Sequence, residues 1–515
     1  MAANPPDPKT DESEDWHKRE SAGSAVVQII LAAVVIGGLM FGWYRHTQTK
    51  KHIYDLDKEG RDLLARDNPK DLRQAREKFA QALALDSKDG YTVSATALTD
   101  VLLAGTYHVE ADKAAAAEFV QQAEQVNAPI DEHFTADALW LLAQGKVQEA
   151  DAYIKGVQDR GALPSGLANA LGHVRHMQGK LDEARPFFKK AQDIGWRSPR
   201  YAADLAESYF DEGDYINAAG FYQKALEANS QHYRAMVGLA RTRIARGQDL
   251  KKASDDLDTI QALGADESAP ELTAMALTAR SELRRFEQKY DEAAKLADQA
   301  IAADPNYAWG HLAKGVALSM KGDATAAASF DTAIKLDPHV GAFYFEAARG
   351  LAQLKSADKA EAFMAEYAKN LKVDDRFHLV YGDLLKGLGN LDKAQSEYAA
   401  AIKANGLNAK AHYALGTVLE AKKQMPDAQK EFESALAAQH NFPDAQVELG
   451  NLKFEQKAWE DGLQEFAKAL VQMKVANVER ARIDGLLDDV SHRLTKANQK
   501  ALAKAWMEQG KQLVR

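Results

Sequence analysis

The sequence predicts an all-α protein, a solenoid of about twelve repeated helical units that follows one N-terminal transmembrane helix. Three observations support this prediction. Small residues followed by aromatic residues recur at a nearly constant spacing of 34 positions over most of the chain. Five prolines, which are disfavoured inside helices, fall where one unit passes to the next: Pro164, Pro199, Pro305, Pro338 and Pro443. One uncharged apolar segment near the N-terminus is long enough to cross a bilayer.

The uncharged segment runs from Ser21 to Tyr44. It provides the ~20 residues that a helix needs to cross about 30 Å of hydrocarbon, and it is longer than the apolar part of a usual signal peptide. Trp43 and Tyr44 suit a membrane-water interface, and Arg45 follows them. We therefore expect a transmembrane helix over residues 24–44.

The segments on either side of this helix are polar. Residues 1–23 combine three prolines with an acidic run, which predicts a disordered acidic tail. Residues 45–52 are expected to form a basic linker. Cations flank both ends of the helix, so charge alone does not decide the orientation. We expect a single-pass protein of the inner (cytoplasmic) membrane with its C-terminal domain in the periplasm. A cytoplasmic domain is the alternative.

Composition excludes several classes of function. The chain has 65 Lys and Arg against 75 Asp and Glu, a formal charge of -10, so it has no basic field for nucleic acid. It has no cysteine, which excludes disulfides, thiolate metal sites and cysteine nucleophiles. His173 and His176 share one helical face, but two histidines without a third ligand do not define a metal site. We therefore expect no nucleic-acid partner, no cofactor and no metal. We also expect no enzymatic activity, because the repeats leave no stretch for a separate catalytic fold.

The repeat is clearest near the C-terminus. Gly416 and Gly450 are 34 residues apart, and Gly416 is followed by Ala428, Phe432 and Ala435, a spacing that recurs after Gly450. Small, aromatic and small residues at offsets of four and three share one helical face, while the glycine lets a second helix approach the first. Twelve positions fit this frame: Gly60, Leu98, Ala138, Gly172, Ala206, Ala240, Ser281, Gly315, Ala348, Gly382, Gly416 and Gly450.

This pattern resembles the tetratricopeptide repeat, a helix-turn-helix unit of 34 residues. The resemblance implies a right-handed superhelix whose first helices line a concave face that holds peptides or partner proteins. The longest step between units contains a loop-like segment, so we expect two arms, over residues 53–263 and 271–476, joined by a loop insertion at residues 264–270. Residues 477–515 are then expected to form capping helices, because a terminal repeat needs a polar outer face.

Two groups of side chains are expected on the concave face. The main groove group is Trp309, Leu312, Val316, Phe345 and Arg349. The charged groove group is Arg200, Glu207, Arg234 and Arg241. Aromatic and aliphatic side chains beside an arginine have the composition of an interaction hot spot, so the main groove group is the candidate partner-binding site. The alternative is that Trp309 and Phe345 fill the space between adjacent repeats.

These features predict a non-enzymatic, membrane-tethered scaffold that assembles protein partners in a bacterial cell envelope. Tethering raises the effective concentration of a binding surface near other membrane proteins. Two alternatives stay open: an envelope chaperone or assembly factor that binds unfolded segments broadly, and the regulatory subunit of a membrane-associated enzyme. Gly38 and Gly42 form a small-xxx-small pair that would allow weak homodimerisation in the bilayer.

Overall fold

The computed structural model describes residues 13–161, 163–262, 269–476, 478 and 480–514, with side chains from Val26 onward. Every regular element in this part of the chain is a helix. The helices follow one another in packed pairs, each pair being one unit. The predicted loop insertion at residues 264–270 and the start of the predicted tail lie largely outside the described residues.

The described helices form twelve pairs followed by two further helices. The first helices of the pairs are α1 Ser13–Leu64, α3 Gly90–Val101, α5 Asp131–Ala143, α7 Ser165–Met177, α9 Pro199–Asp211, α11 Tyr233–Ala245, α13 Pro270–Phe286, α15 Ala308–Met320, α17 Gly341–Gln353, α19 Asp375–Gly387, α21 Ala409–Ala421 and α23 Pro443–Glu455. The second helices are α2 Pro69–Leu83, α4 Lys113–Val126, α6 Val147–Gln158, α8 Leu181–Ile194, α10 Tyr215–Ala228, α12 Leu250–Ala262, α14 Tyr290–Ala303, α16 Ala326–Leu336, α18 Ala357–Asn370, α20 Leu391–Ala404, α22 Met425–Ala438 and α24 Trp459–Val475. The two further helices are α25 Arg480–Lys496 and α26 Lys500–Leu513, and their predicted capping role stays a prediction.

All twelve predicted frame positions lie in first helices, which confirms the predicted fold class. The glycines among them are places of close contact between the two helices of a unit. A Cβ atom added to Gly172 would lie 2.6 Å from the ring of Phe188, and one added to Gly450 would lie 2.6 Å from Phe466. Such distances leave no room for a side chain, so each aromatic ring of a second helix packs directly on the backbone of the first.

The turn inside most units contains one residue in the left-handed backbone region. At Gly179 and Gly213 the φ angles are 75° and 74°, which glycine adopts without steric cost. Lys423 and Lys457 hold the equivalent turns of later units at φ angles of 60° and 61°. A left-handed residue after a helix ends it and turns the chain back, which explains why the second helix starts only a few residues later.

Two units depart from the regular pattern. In unit 2, which contains Leu98, the first helix ends in a π-helical turn at Leu102–Thr106, and a 3-10 turn precedes the second helix. In unit 9, which contains Ala348, the second helix buries Met364 and Tyr367 where other units have an aromatic residue and a small residue. Both units nevertheless keep the pair of packed helices.

Helix α1 is much longer than the other helices. It runs without a break from Ser13 to Leu64, so the helix continues on both sides of the predicted transmembrane segment at residues 24–44. Every side chain from Val26 to Tyr44 is exposed. Further along, Leu56 is buried in the solenoid and Gly60 lies against the ring of Phe79 in α2, so the end of α1 is the first helix of unit 1.

The solenoid winds so that loops of distant units touch. Asn68 Nδ2 in unit 1 donates to the Gln231 carbonyl at 2.9 Å, between units 5 and 6. Lys372 Nζ, before unit 10, lies 2.6 Å from Asp182 Oδ2 in unit 4. His108 Nδ1 in unit 2 lies 2.5 Å from Asp304 Oδ2, before unit 8. Units four to six places apart are therefore in contact.

Candidate partner-binding groove

Four of the five members of the main groove group share one cavity. Trp309, Leu312, Val316 and Arg349 line a cavity of about 340 Å³ between units 5 to 9. Phe345 lies elsewhere, because its ring stacks on Tyr367 with 5.0 Å between centroids. The structure thus brings together most of the group that the sequence placed on one surface, and separates Phe345 from it.

Trp309 also has a packing role. Its ring meets Phe210 of unit 5 with 5.2 Å between centroids and Phe343 of unit 9 at 4.9 Å, both edge to face. Aromatic pairs at these distances stabilise beyond the area they bury. Trp309 therefore joins units that are distant in sequence while one side of it still faces the cavity.

The other members of the cavity wall differ in accessibility. Leu312 and Val316 are buried, so they form the floor of the cavity. The Arg349 side chain is 59% exposed and forms an ion pair with Glu346 on the same helix. Of this wall, Arg349 is the side chain most accessible to a partner.

The charged groove group lies inside the protein, contrary to the exposed surface expected from the sequence. Arg241 has an exposed fraction of 0% and Arg200 one of 8%. Arg234 is also nearly enclosed, with 12% of its side chain exposed. The physical reason is contact between units. Tyr307 and Trp309, at the start of unit 8, cover Arg241, whereas Asp67 of unit 1 and Tyr107 of unit 2 lie near Arg200. A binding role for the group stays a prediction.

Arg241 is held by aromatic rings and carboxylates. Its guanidinium lies 4.4 Å from the Phe210 ring centroid and 4.5 Å from that of Trp309. Its Nη1 donates to the Tyr307 hydroxyl at 3.1 Å and lies 3.5 Å from Glu207 Oε1. Glu207 in turn accepts a hydrogen bond from the Tyr222 hydroxyl. These contacts make Arg241 the centre of a buried structural network.

A second buried network surrounds Asp204 in α9. Asp204 accepts hydrogen bonds from Arg234 Nη1 at 2.9 Å and from Asn169 Nδ2 at 3.0 Å. His173 Nε2 lies 3.4 Å from the same carboxylate. Burial alone would raise the pKa of Asp204, but the Arg234 guanidinium and His173 hold it well below its usual value. Asp204 therefore stays ionised in the interior.

The Asp204 network borders a larger cavity, which we call the N-terminal cavity. Its volume is about 970 Å³. Its wall comes mainly from the concave sides of units 2 to 6 and the loops of units 2 and 7, and it includes Trp140, Asn169, His173, Arg200, Asp204, Arg234, His108 and Asp304. Sequence reasoning missed this cavity because it depends on the winding of the units, not on the pattern within one unit.

The two histidines singled out from the sequence do not share a site. His173 contacts Asp204, whereas His176 Nε2 lies 3.6 Å from Asp337 Oδ2 between units 8 and 9. Burial opposes the charged form of His176, but the Asp337 carboxylate raises the pKa of this imidazole to about 9. Among the described residues, no group of three or more histidine and carboxylate side chains is arranged to hold a metal ion.

Comparison with known proteins identifies the repeats. One tetratricopeptide-repeat family model matches residues 136–199 and 381–428, and a second matches residues 209–275. The chain therefore contains tetratricopeptide repeats over these segments. Its fold is that of a protein-interaction scaffold, a class that is typically non-catalytic and generally binds protein partners.

Several solved structures resemble this chain at low identity. A chain of the APC/C hetero-tetramer Cut9–Hcn1 is 15% identical to this chain. The alignment covers 88% of this chain and 95% of the matched chain, with a TM-score of 0.41. Yeast Tom70 is 16% identical to this chain. The alignment covers 90% of this chain and 96% of the Tom70 chain, with a TM-score of 0.39. A chain of the human IFIT1 dimer with m7Gppp-AAAA is 15% identical to this chain. The alignment covers 73% of this chain and 90% of the IFIT1 chain, with a TM-score of 0.43. No curated protein matches the sequence.

Proposed function

We propose that this protein is a membrane-tethered scaffold that recruits or assembles partner proteins along its solenoid in the bacterial cell envelope. The observation that carries the proposal is helix α1. It is apolar and uncovered over Val26 to Tyr44, and it continues without a break into the first repeat. The apolar segment that we propose as the membrane anchor and the first helix of unit 1 are therefore parts of one continuous helix.

The apolar surface of α1 needs a cover that the described part of the chain does not provide. The stretch Val26–Leu64 contains a window of mean hydropathy 2.3, none of which is buried. Soluble monomers rarely expose a contiguous apolar patch of this extent, and lipid is the natural cover for one. A signal sequence has a similar composition. An anchor is favoured because the same helix supplies Gly60, which packs on Phe79 in unit 1.

The continuous helix also sets the distance between the bilayer and the solenoid. Leu56 is the first hydrophobic residue of α1 that is buried in the repeats, and Tyr44 ends the apolar segment. A helix rises about 1.5 Å per residue, so these two residues are about 18 Å apart along the axis. The solenoid is thus held close to the membrane, where tethering raises its effective concentration toward membrane partners.

The partner is proposed to dock at the cavity lined by Trp309 and Arg349. Its wall combines aromatic rings and buried aliphatic side chains with the exposed guanidinium of Arg349, a composition typical of binding hot spots. A peptide segment with an apolar side chain near an acidic one fits this wall. Such a segment would replace Glu346 as the ion-pair partner of Arg349.

Affinity purification of the full chain from detergent-solubilised membranes, followed by mass spectrometry, tests this function. We expect a small, reproducible set of partners whose capture falls with Arg349→Ala. Arg160→Ala, which removes an exposed arginine of unit 3, is the matched control and should leave capture unchanged. Capture of many unrelated unfolded proteins would instead indicate the chaperone alternative. Equal capture by Arg349→Ala and the wild type would remove Arg349 from the proposed site.

We propose that the repeats lie in the periplasm. Protease added to intact spheroplasts should then digest the repeat domain. Survival of the repeats until the membrane is permeabilised would place them in the cytoplasm.

Weak self-association of the anchor is part of the proposal. Gly38 and Gly42 have no other atoms near the positions of their missing Cβ atoms, so this face of α1 is open to a second helix. Replacing both glycines by leucine should reduce cross-linked dimers in membranes. An unchanged dimer fraction would contradict this contact.

A further inference from the structure

Trp196 is an aromatic residue that the fold holds in water, in the loop between α8 and α9. Among the described residues that follow the apolar segment it is the most exposed aromatic residue, with 63% of its surface exposed. The turn that carries it is closed by a hydrogen bond from the Ser198 N–H to the Gly195 carbonyl at 2.8 Å. Gly195 packs on Tyr201, since a Cβ atom added there would lie 2.5 Å from that ring. A large ring held exposed at a fixed place is a suitable platform for a ligand.

Trp196 borders a groove of about 970 Å³, which we call the Trp196 groove. The groove lies between the end of α1 in unit 1 and the ends of α8 and α10 in units 4 and 5. Asn229, which also lines it, joins these units, because its Nδ2 donates to the Arg66 carbonyl at 2.8 Å. The volume lies within the roughly 300–1,000 Å³ that is usual for ligand sites.

The apolar surface of the Trp196 groove is almost entirely aromatic. It consists of the rings of Trp196 and Phe221 with Ala65 and Ala228, and no leucine, isoleucine, valine or methionine among the described residues lines it. The Arg197 guanidinium lies 4.7 Å from the centroid of the Trp196 ring, so it covers only one of the two faces of that ring. A fatty acyl chain or an aliphatic peptide side chain would find little to pack against here. A ligand with one flat apolar face would stack on Trp196.

The charged side chains around the groove are of both signs. Asp62, Asp193 and Glu227 supply three carboxylates, and four basic side chains accompany them among the described residues. Lys189 Nζ lies 3.2 Å from Asp193 Oδ2. A polyanion would meet the carboxylates and a polycation would meet the basic side chains, so neither is favoured. This balance of charge suits an uncharged polar ligand.

We propose that the Trp196 groove binds an uncharged oligosaccharide of β-linked pyranose rings, with one sugar ring stacked on the open face of Trp196. Rings whose substituents are all equatorial have flat faces of C–H groups, which match an indole ring. Their hydroxyl groups both donate and accept hydrogen bonds. Asp62 and Glu227 offer acceptors and Arg197 offers donors, and none of these three side chains forms an ion pair within the described residues. The site is separate from the Trp309 cavity and does not depend on the membrane anchor.

Saturation-transfer difference NMR on the full chain tests this site. The detergent is a polyoxyethylene ether, because it carries no sugar headgroup. Cellotetraose and chitotetraose are the probes, hexathymidylate is the polyanion and hexalysine is the polycation. We expect transfer to the ring C–H protons of at least one tetrasaccharide. Titration should show that it binds at least about tenfold more tightly than hexathymidylate and hexalysine.

Three variants separate binding from folding. Trp196→Ala removes the platform and should weaken tetrasaccharide binding at least about tenfold. Trp196→Tyr keeps a flat ring and should retain most of the binding. Tyr54→Ala is the matched control, because it removes an aromatic residue that is 59% exposed but lies outside the groove, and it should leave binding unchanged. All three should melt close to the wild type, because the rings that they change are exposed.

Several results would overturn the proposal. They are absent binding of both tetrasaccharides, equal binding by Trp196→Ala and the wild type, and tighter binding of hexathymidylate or hexalysine. A lower melting temperature for Trp196→Ala with unchanged tetrasaccharide binding would assign Trp196 to the packing of its loop.

Discussion

At the scale of single residues, burial separates what the sequence could predict from what it could not. Trp309, Leu312, Val316 and Arg349 were placed on one surface from their positions in the repeat, and they do share a cavity. Arg241 was expected on the same concave face but is completely enclosed. The repeat frame tells which side of a helix a residue occupies. It does not tell what later part of the chain covers that side.

Replacing Arg241 should strongly destabilise the fold. Arg241→Met removes the cation–π contacts with Phe210 and Trp309 and leaves the partly buried Glu207 and Glu282 carboxylates without this cation. Breaking a buried ion pair from one side typically costs about 3–5 kcal/mol. Thermal melting followed by circular dichroism measures the effect.

The matched control for Arg241→Met is Arg349→Met, which changes an exposed arginine and should cost less than about 1 kcal/mol. Equal melting temperatures for the two variants would contradict the structural role of Arg241.

Glu271 should make stability depend on pH. Burial raises the pKa of this carboxyl to about 7 against an ordinary value of 4.5, with Arg234 opposing the shift. Between these two values the folded protein binds more protons than the unfolded chain, so stability falls as the pH rises through this window. Glu271→Gln should therefore raise the melting temperature relative to the wild type more at pH 8 than at pH 5. The same difference at both pH values would show that this carboxyl does not titrate in the window.

At the scale of helices, the sequence was most informative. The 34-residue frame located every first helix of the twelve described pairs, because close contact between two helices demands small residues at fixed places. It did not reveal the π-helical turn at Leu102–Thr106, which lies in a unit that lacks the small residue. The sequence also did not reveal that α1 continues through residues 45–52. A short polar segment is compatible with either a linker or an exposed helix.

Two glycine-to-alanine changes should shift the melting temperature in opposite directions. A Cβ atom at Gly416 would lie 2.5 Å from the Phe432 ring, so Gly416→Ala should lower the melting temperature by forcing the helices apart. Gly220 in α10 has open space around it, and Gly220→Ala should stabilise by about 0.5–1 kcal/mol through helix propensity. Thermal melting of both variants is the measurement. Stabilisation by Gly416→Ala would contradict the packing of Phe432 against the first helix.

At the scale of the whole molecule, the winding of the solenoid decides which surfaces are accessible. Contacts such as Lys372 with Asp182 join parts of the chain that are far apart in sequence. They depend on small rotations that accumulate from unit to unit, and no local pattern encodes that sum. This is why the two cavities and the buried charged networks could not be predicted from the sequence, whereas the units themselves could.

The winding predicts a specific cross-link. Lys372 Nζ and Asp182 Oδ2 are 2.6 Å apart, and both side chains are exposed, so a carbodiimide should join them without a spacer. Mass spectrometry of the digested protein should detect the linked peptides in the wild type. Lys372→Arg, which keeps the charge but cannot form the amide, should lack them. Absence of the cross-link in the wild type would indicate a more open superhelix.

Alkaline carbonate extraction of cell membranes tests whether one helix anchors the solenoid in a bilayer. We expect the wild-type chain to stay in the membrane pellet with Met1 to Tyr44 still attached, as its intact mass would show. Val35→Arg combined with Leu39→Arg places two charges in the apolar segment, each costing roughly 2.5–3.5 kcal/mol at the centre of a membrane, and should move the protein to the supernatant. Release of the wild-type chain by carbonate, or an intact mass that lacks the apolar segment, would contradict the account.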